Sequence, residues 1–208
     1  MTTAVKAPRV PLPEPGEMTG RQREVYDTIV SGPRGRLVGP LRAVLLAPEL
    51  ADRWQRFGQY LRYETSVPLR INELAIIVTA RRWNSQVEWQ VHAAAAAAAG
   101  LPRAVIEEIR WARLPTFDDP ADAEAYEFAR QLLTDGDVDD GLHARLVDRW
   151  GAPGVVELTS VIGYYTMVSM MLNAQAIPPI DSPEPLLEPL PGGPGGGRLT
   201  AIPALPQG

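Results

Sequence analysis

Residues 73–92 read ELAIIVTARRWNSQVEWQVH, and the way this stretch folds decides the architecture. Pro68 restarts the chain ahead of it, the apolar run Leu74 to Val78 continues toward Trp83, and no residue pattern of period two appears. This predicts one helix ending near Trp83. Ser85 then opens a second helix through His92 and seven alanines, Ala93 to Ala99, with Gly100 as its C-terminal stop. The pair also holds the best candidates for chemistry. Glu88 and His92 are one helical turn apart on the same face and can share a proton. Glu73 interrupts an apolar segment, where an unpaired charge is costly.

Outward from this pair, the punctuation predicts further helices on both sides. Thr19-Gly-Arg-Gln22 has the form of a capping box opening a helix to about Ser31. Gly32 to Gly39 is a loop, Pro40 to Ala47 a short helix, and Pro48 the first turn of a longer one through Trp54, Phe57, Tyr60 and Leu61. Pro102 and Asp119-Pro120 start two more, the second stopped by Asp135-Gly136. Leu142 to Trp150 and Pro153 to Ala176 complete the set. The predicted fold class is therefore all-α, a helical bundle. Residues 1–18 form a Pro-rich arm, 19–176 one helical domain and 177–208 a Pro/Gly-rich tail. That tail, with nine prolines and six glycines, is expected to be extended or disordered and to add nothing to a packed core.

Composition narrows the function. The 208 residues are 45% hydrophobic, enough for one real core. No cysteine occurs, which removes thiol redox chemistry, thiolate nucleophiles and thiolate metal sites. A cysteine-free chain fits a reducing cytoplasm. Residues 1–16 carry four prolines and no apolar core, so they do not read as a secretory signal. The net charge is −5 and no basic cluster interleaves with aromatics, so a nucleic-acid partner is not expected. Leu158 to Ala176 contains no charge, but its recurring Thr, Ser, Asn and Gln residues favour a buried or interface helix over a membrane span. With the alanine run, it predicts a homo-oligomer. No Gly-rich phosphate loop follows a strand, so no nucleotide cofactor is expected, and none of another kind.

Three stretches carry a resemblance: Pro48-Glu-Leu with Phe57-Gly-Gln-Tyr-Leu-Arg-Tyr-Glu64, Arg70-Ile-Asn-Glu-Leu-Ala75 through Glu88-Trp-Gln-Val-His92, and Val156 to Tyr165 through Asn173. In that order they resemble the carboxymuconolactone decarboxylase-like family, whose superfamily includes the alkylhydroperoxidase-D-type enzymes. The resemblance implies an all-helical bundle assembled as a trimer or hexamer. In the peroxidase branch the site resembles a Glu, a Cys-x-x-Cys and a His four residues beyond. Glu73 and His92 match its outer members, while Ser85 and Glu88 stand at the cysteine positions. A cysteine-less member is expected not to be a peroxidase, and its Glu88-Trp-x-x-His92 stretch is closer to the decarboxylase branch.

The expected catalytic group is thus His92, Glu88 and Glu73, performing cofactor-free acid–base chemistry as a decarboxylase or other lyase, or a related lactone isomerase or hydrolase, on a small carboxylated or lactone-type compound. Trp89, Arg81 and Ser85 are expected to face the substrate. Each has a plainer alternative. Ser85-x-x-Glu88 has capping-box spacing, Arg81 suits a helix C-terminus, Trp89 suits a core, and Glu73 suits the helix dipole. On that alternative the protein is a non-catalytic homo-oligomeric scaffold. Glu73, Glu88 and His92 also form a possible ligand set for zinc or iron, but no second histidine lies near, and no metal is expected. His143, among Asp137, Asp139, Asp140 and Arg145, reads as a residue of a solvated helix face.

Overall fold

The computed structural model describes residues 7–187 and 199–206. A 3₁₀ turn, Pro15–Glu17, precedes eight helices: α1 (Gly20–Ser31), α2 (Pro40–Val44), α3 (Pro48–Tyr63), α4 (Leu69–Trp83), α5 (Gln86–Ala98), α6 (Arg103–Arg110), α7 (Pro120–Thr134) and α8 (Asp140–Ala174). No strand occurs among the described residues. The capping box at Thr19 forms as its sequence dictates, with the Gln22 side chain accepting from the Thr19 N–H at 2.9 Å. Asp119 caps α7 by accepting from the Ala121 N–H at 2.9 Å, with Pro120 in the first turn.

The apolar run after Pro68 becomes the central helix. Every residue of α4 from Ile71 to Arg81 is buried, as expected of a helix surrounded by others. It packs chiefly against α5, α7 and α8. Both α4 and α5 stop in Schellman geometry. At the first, Asn84 adopts the left-handed conformation (φ 53°, ψ 39°) while the Ser85 N–H donates to the Ala80 carbonyl at 2.9 Å. At the second, Gly100 has φ 95° and the Leu101 N–H donates to the Ala96 carbonyl at 2.9 Å. A two-residue joint therefore folds α5 back along α4, which brings His92 to Glu73.

Trp150 and Pro153 flank a break in α8 at Gly151 (φ 71°, ψ 166°), where two separate helices are predicted. Beyond it, Leu158, Val161, Ile162, Tyr164, Tyr165 and Val168 point inward. This helix is long and apolar enough to cross a membrane, and half of that apolar window is buried within the protein.

The tail departs from expectation. Its described parts are extended, yet Leu187 and Ile202 belong to the main core cluster. The Gln86 side-chain amide pairs with the Leu187 backbone in both directions, at 2.8 and 2.7 Å. The Thr200 N–H donates to the Arg82 carbonyl at 2.8 Å, and the Tyr126 hydroxyl to the Pro203 carbonyl at 2.8 Å. Proline-rich chain lacks the donors for helix or sheet, but helix termini and long polar side chains of α4, α5 and α7 supply partners for its carbonyls instead. Residues 188–198, part of the expected tail, lie outside the described residues, as do 1–6 and 207–208.

Candidate functional site

His92 is clamped between two carboxylates. Its Nδ1 lies 2.6 Å from Glu73 Oε2 and its Nε2 lies 3.2 Å from Glu88 Oε2. All three residues are buried, His92 and Glu73 at 2% exposure and Glu88 at 5%. A protonated imidazole donates from both nitrogens, so this arrangement is matched to the imidazolium form. Burial opposes the positive charge, but the charge and hydrogen bond of Glu73, followed by Glu88, outweigh it and hold His92 above the ordinary histidine value of 6.5. The Tyr165 ring meets the imidazole edge-on, with centroids 4.8 Å apart.

The α4 terminus excludes a capping box at Glu88. A capping box needs the Ser85 N–H for the Glu88 carboxylate. That N–H already serves the Schellman turn of α4, and the Ser85 side chain makes no cap hydrogen bond. Glu88 is left to turn toward His92.

One face of this group opens on a cavity of about 40 Å³, lined by Glu88, His92, Tyr164, Tyr165, Arg34 and Arg62 together with apolar side chains. It has room for roughly two or three waters, or for the head of one small polar group. A larger groove of about 290 Å³, beside Trp83, Ile162 and Leu199, has no titratable side chain in its lining, whereas the smaller cavity is lined by several. The cavity is built from α3, α5, α8 and the loop before α2. In that loop Gly39 adopts φ 58° and lets the backbone approach α5; a β-carbon there would lie 3.4 Å from Val87 and 4.0 Å from Glu88 Oε1. On α3, Gly58 admits the Tyr164 ring, whose hydroxyl would stand 2.0 Å from an added β-carbon.

Burial drives Tyr165, and in the same direction Tyr164, above the usual tyrosine range, so both are neutral hydroxyls at working pH. For Arg62, burial works against the charge, but Tyr165, Tyr63, Glu73 and Glu88 together more than restore it.

The three residues expected to face substrate do not line this cavity. Trp89 is fully buried in the main core, and Ser85 is buried at the helix joint. Arg81 points the other way, donating to the Arg110 carbonyl at 2.9 Å and to Thr200 Oγ1 at 3.1 Å, and it also bonds Asn84. Burial, then neighbouring Arg110, brings its pKa down to about 10. Its position is a tail anchor. Glu73 and Glu88 occupy opposite ring nitrogens of His92, so the three do not converge on one point as metal ligands must. His143 is exposed.

Arg62 and Arg34 are the charged lining residues that sequence reasoning passed over. A signal for Arg62 exists: the buried positions Ala51, Gln55 and Gly58 of α3 continue at helical spacing to Arg62. Tyr164 and Tyr165 sit in the uncharged part of α8 as its polar aromatic pair.

Residues 48–131 match the carboxymuconolactone decarboxylase family. The fold is similar to a crystal structure of an uncharacterized peroxidase-related protein from Silicibacter sp. TM1040, at 16% identity and a TM-score of 0.68, over 87% of this chain and 96% of that one. It is equally similar to an uncharacterized peroxidase-related protein with an alkylhydroperoxidase AhpD core from Ralstonia eutropha JMP134, at 14% identity and a TM-score of 0.69, over 84% and 93% of the two chains. No curated protein matches the sequence. The chain, which has no cysteine, thus carries a central segment similar to the carboxymuconolactone decarboxylase family within a helical fold that it shares with these two structures.

Proposed function

We propose that the protein is a cofactor-independent acid–base enzyme, a decarboxylase or a related lactone isomerase or hydrolase, acting on a small carboxylated or lactone-type compound in the cytoplasm. The observation that carries this reading is the orientation of Glu88, which leaves its capping position unfilled and meets His92 at the cavity wall. A scaffold needs no such departure. Buried ionisable groups held against one another beside a cavity are the usual mark of a working site.

In the decarboxylase form, the bond to the departing carboxyl carbon breaks and its electron pair spreads into a conjugated carbonyl of the substrate. The carbon then takes a proton from the His92–Glu88 pair, which recovers it from solvent. Glu73, behind the ring, holds the imidazolium in place. In the isomerase form the same pair removes a proton at one carbon and returns it at another. Screening small carboxylated lactones and enol acids for carbon dioxide release or an absorbance change tests substrate and reaction together. Turnover that is independent of His92 would overturn the reading.

The neighbours' peroxidase-related names are not carried over. Ser85 and Glu88 can form neither a disulfide nor a sulfenic acid, so no thiol-dependent turnover of an organic hydroperoxide above a protein-free blank is expected in a reductant-coupled assay.

A homo-oligomer, a trimer or hexamer, is part of the same proposal. Val156, Gly163, Met167 and Met170 recur at helical spacing on the outer side of α8, and all are exposed in the single chain. Light scattering on the purified protein is expected to give a multiple of the chain mass. A monomer at micromolar concentration would count against it.

A further inference from the structure

The charges around the cavity do not cancel. Two carboxylates, the His92 imidazolium and the Arg62 guanidinium together sum to zero, and Arg34 remains. It lines the same cavity. Its Nε is buried without a hydrogen-bond partner, and no carboxylate stands within ion-pair distance of it among the described residues. The half-buried guanidinium bonds the Tyr164 hydroxyl but meets no counter-charge, and its planar fork matches a carboxylate. Its place on the loop between α1 and α2, with Gly35 (φ 66°) and Gly39 (φ 58°) in left-handed geometry, sets it against Tyr164 and Gly58.

We infer that Arg34 is the anion anchor of this cavity and takes a carboxylate of the substrate, while Arg62 balances the Glu73–Glu88 pair. The inference rests on the acid–base reading for the word substrate, though not for the binding itself. It also specifies which carboxylate. Pairing Arg34 with a carboxylate about to leave as carbon dioxide would stabilise the ground state, because that charge disappears from the group in the transition state. Arg34 therefore grips a carboxylate that the reaction leaves intact, and the cavity admits one such head. Any departing group lies toward the apolar wall of Val87, Val91 and Val168.

The two histidines make this measurable without a substrate, since the imidazole spectrum of the full chain contains one signal from the cavity and one, His143, from the surface. Titration with acetate is expected to shift the His92 resonances and leave His143 unmoved, while acetamide, its uncharged analogue, shifts neither. Arg34→Gln is expected to weaken acetate by roughly tenfold or more, and Arg34→Lys, which keeps the charge and loses the fork, by less. Equal responses to acetate and acetamide, or unchanged acetate affinity in Arg34→Gln with native His92 resonances, would overturn the assignment. Failure of the acid–base reading is seen elsewhere, in turnover that survives loss of His92. Acetate binding through Arg34 would then stand alone, and His92-dependent turnover without acetate binding would sink only the anchor.

Discussion

His92→Gln is expected to lower the chemical step by about 10²–10⁴-fold, the range for removing a general acid or base. Glutamine keeps a hydrogen-bonding amide of similar reach but cannot carry a proton between pH extremes. Glu88→Gln is expected to lower the step less, because the imidazole and its Glu73 partner remain. His143→Gln, at an exposed position, is expected to change almost nothing. The ordering discriminates between mechanisms: were Glu88 only a helix cap, Glu88→Gln would be nearly silent, because glutamine also serves in a capping box. Single-turnover rates on the first active compound provide the measurement. Full activity in a folded His92→Gln protein would sink the mechanism.

Glu73→Ala is expected to destabilise the fold by about 3–5 kcal/mol, the usual consequence of removing one partner of a buried ion pair. The effect has a pH signature. His92 is held above its unfolded value of 6.5, so its interactions contribute fully below about that pH and are lost as pH rises through the folded value. Urea denaturation from about pH 6 to about pH 9 should therefore show the wild-type protein losing this contribution on the alkaline side. In Glu73→Ala that dependence should be flatter, since the largest favourable influence on the imidazolium is gone. A wild-type curve no steeper than the variant's would show that Glu73 does not hold the charged ring.

What could be read before the structure was local. Proline at 40, 48, 68, 102 and 120 and glycine at 100 mark helix limits through missing donors and left-handed geometry, and the helices begin or end beside them, while Pro153 follows the break inside α8. Glu88 and His92 share a helix, so their meeting was legible from spacing. Glu73 was suspect because it is charged in an apolar run. The rest depends on contacts remote in sequence. Whether Glu88 closes a capping box on Ser85 is decided by a competing carbonyl at Ala80 in the preceding helix, which takes the Ser85 N–H. Arg81 looked available for an acidic substrate because its partners, Arg110 and Thr200, lie far along the chain. The tail looked unable to join a core because proline-rich composition describes what a segment cannot do alone, and says nothing of carbonyls offered to neighbouring helices. Arg34 was invisible because only the folded loop brings it to Tyr164.

The docked tail also sets an order of events during synthesis. α4 and α5 are made early and can pair as a helical hairpin, but Ile202 and Thr200, which seal the core and the end of α4, leave the ribosome more than a hundred residues later. Until then, Arg81 and the apolar surface around it face solvent with their final partners still unmade. The chain thus completes its central helix last, and the period between its two halves is when it most needs protection from other chains.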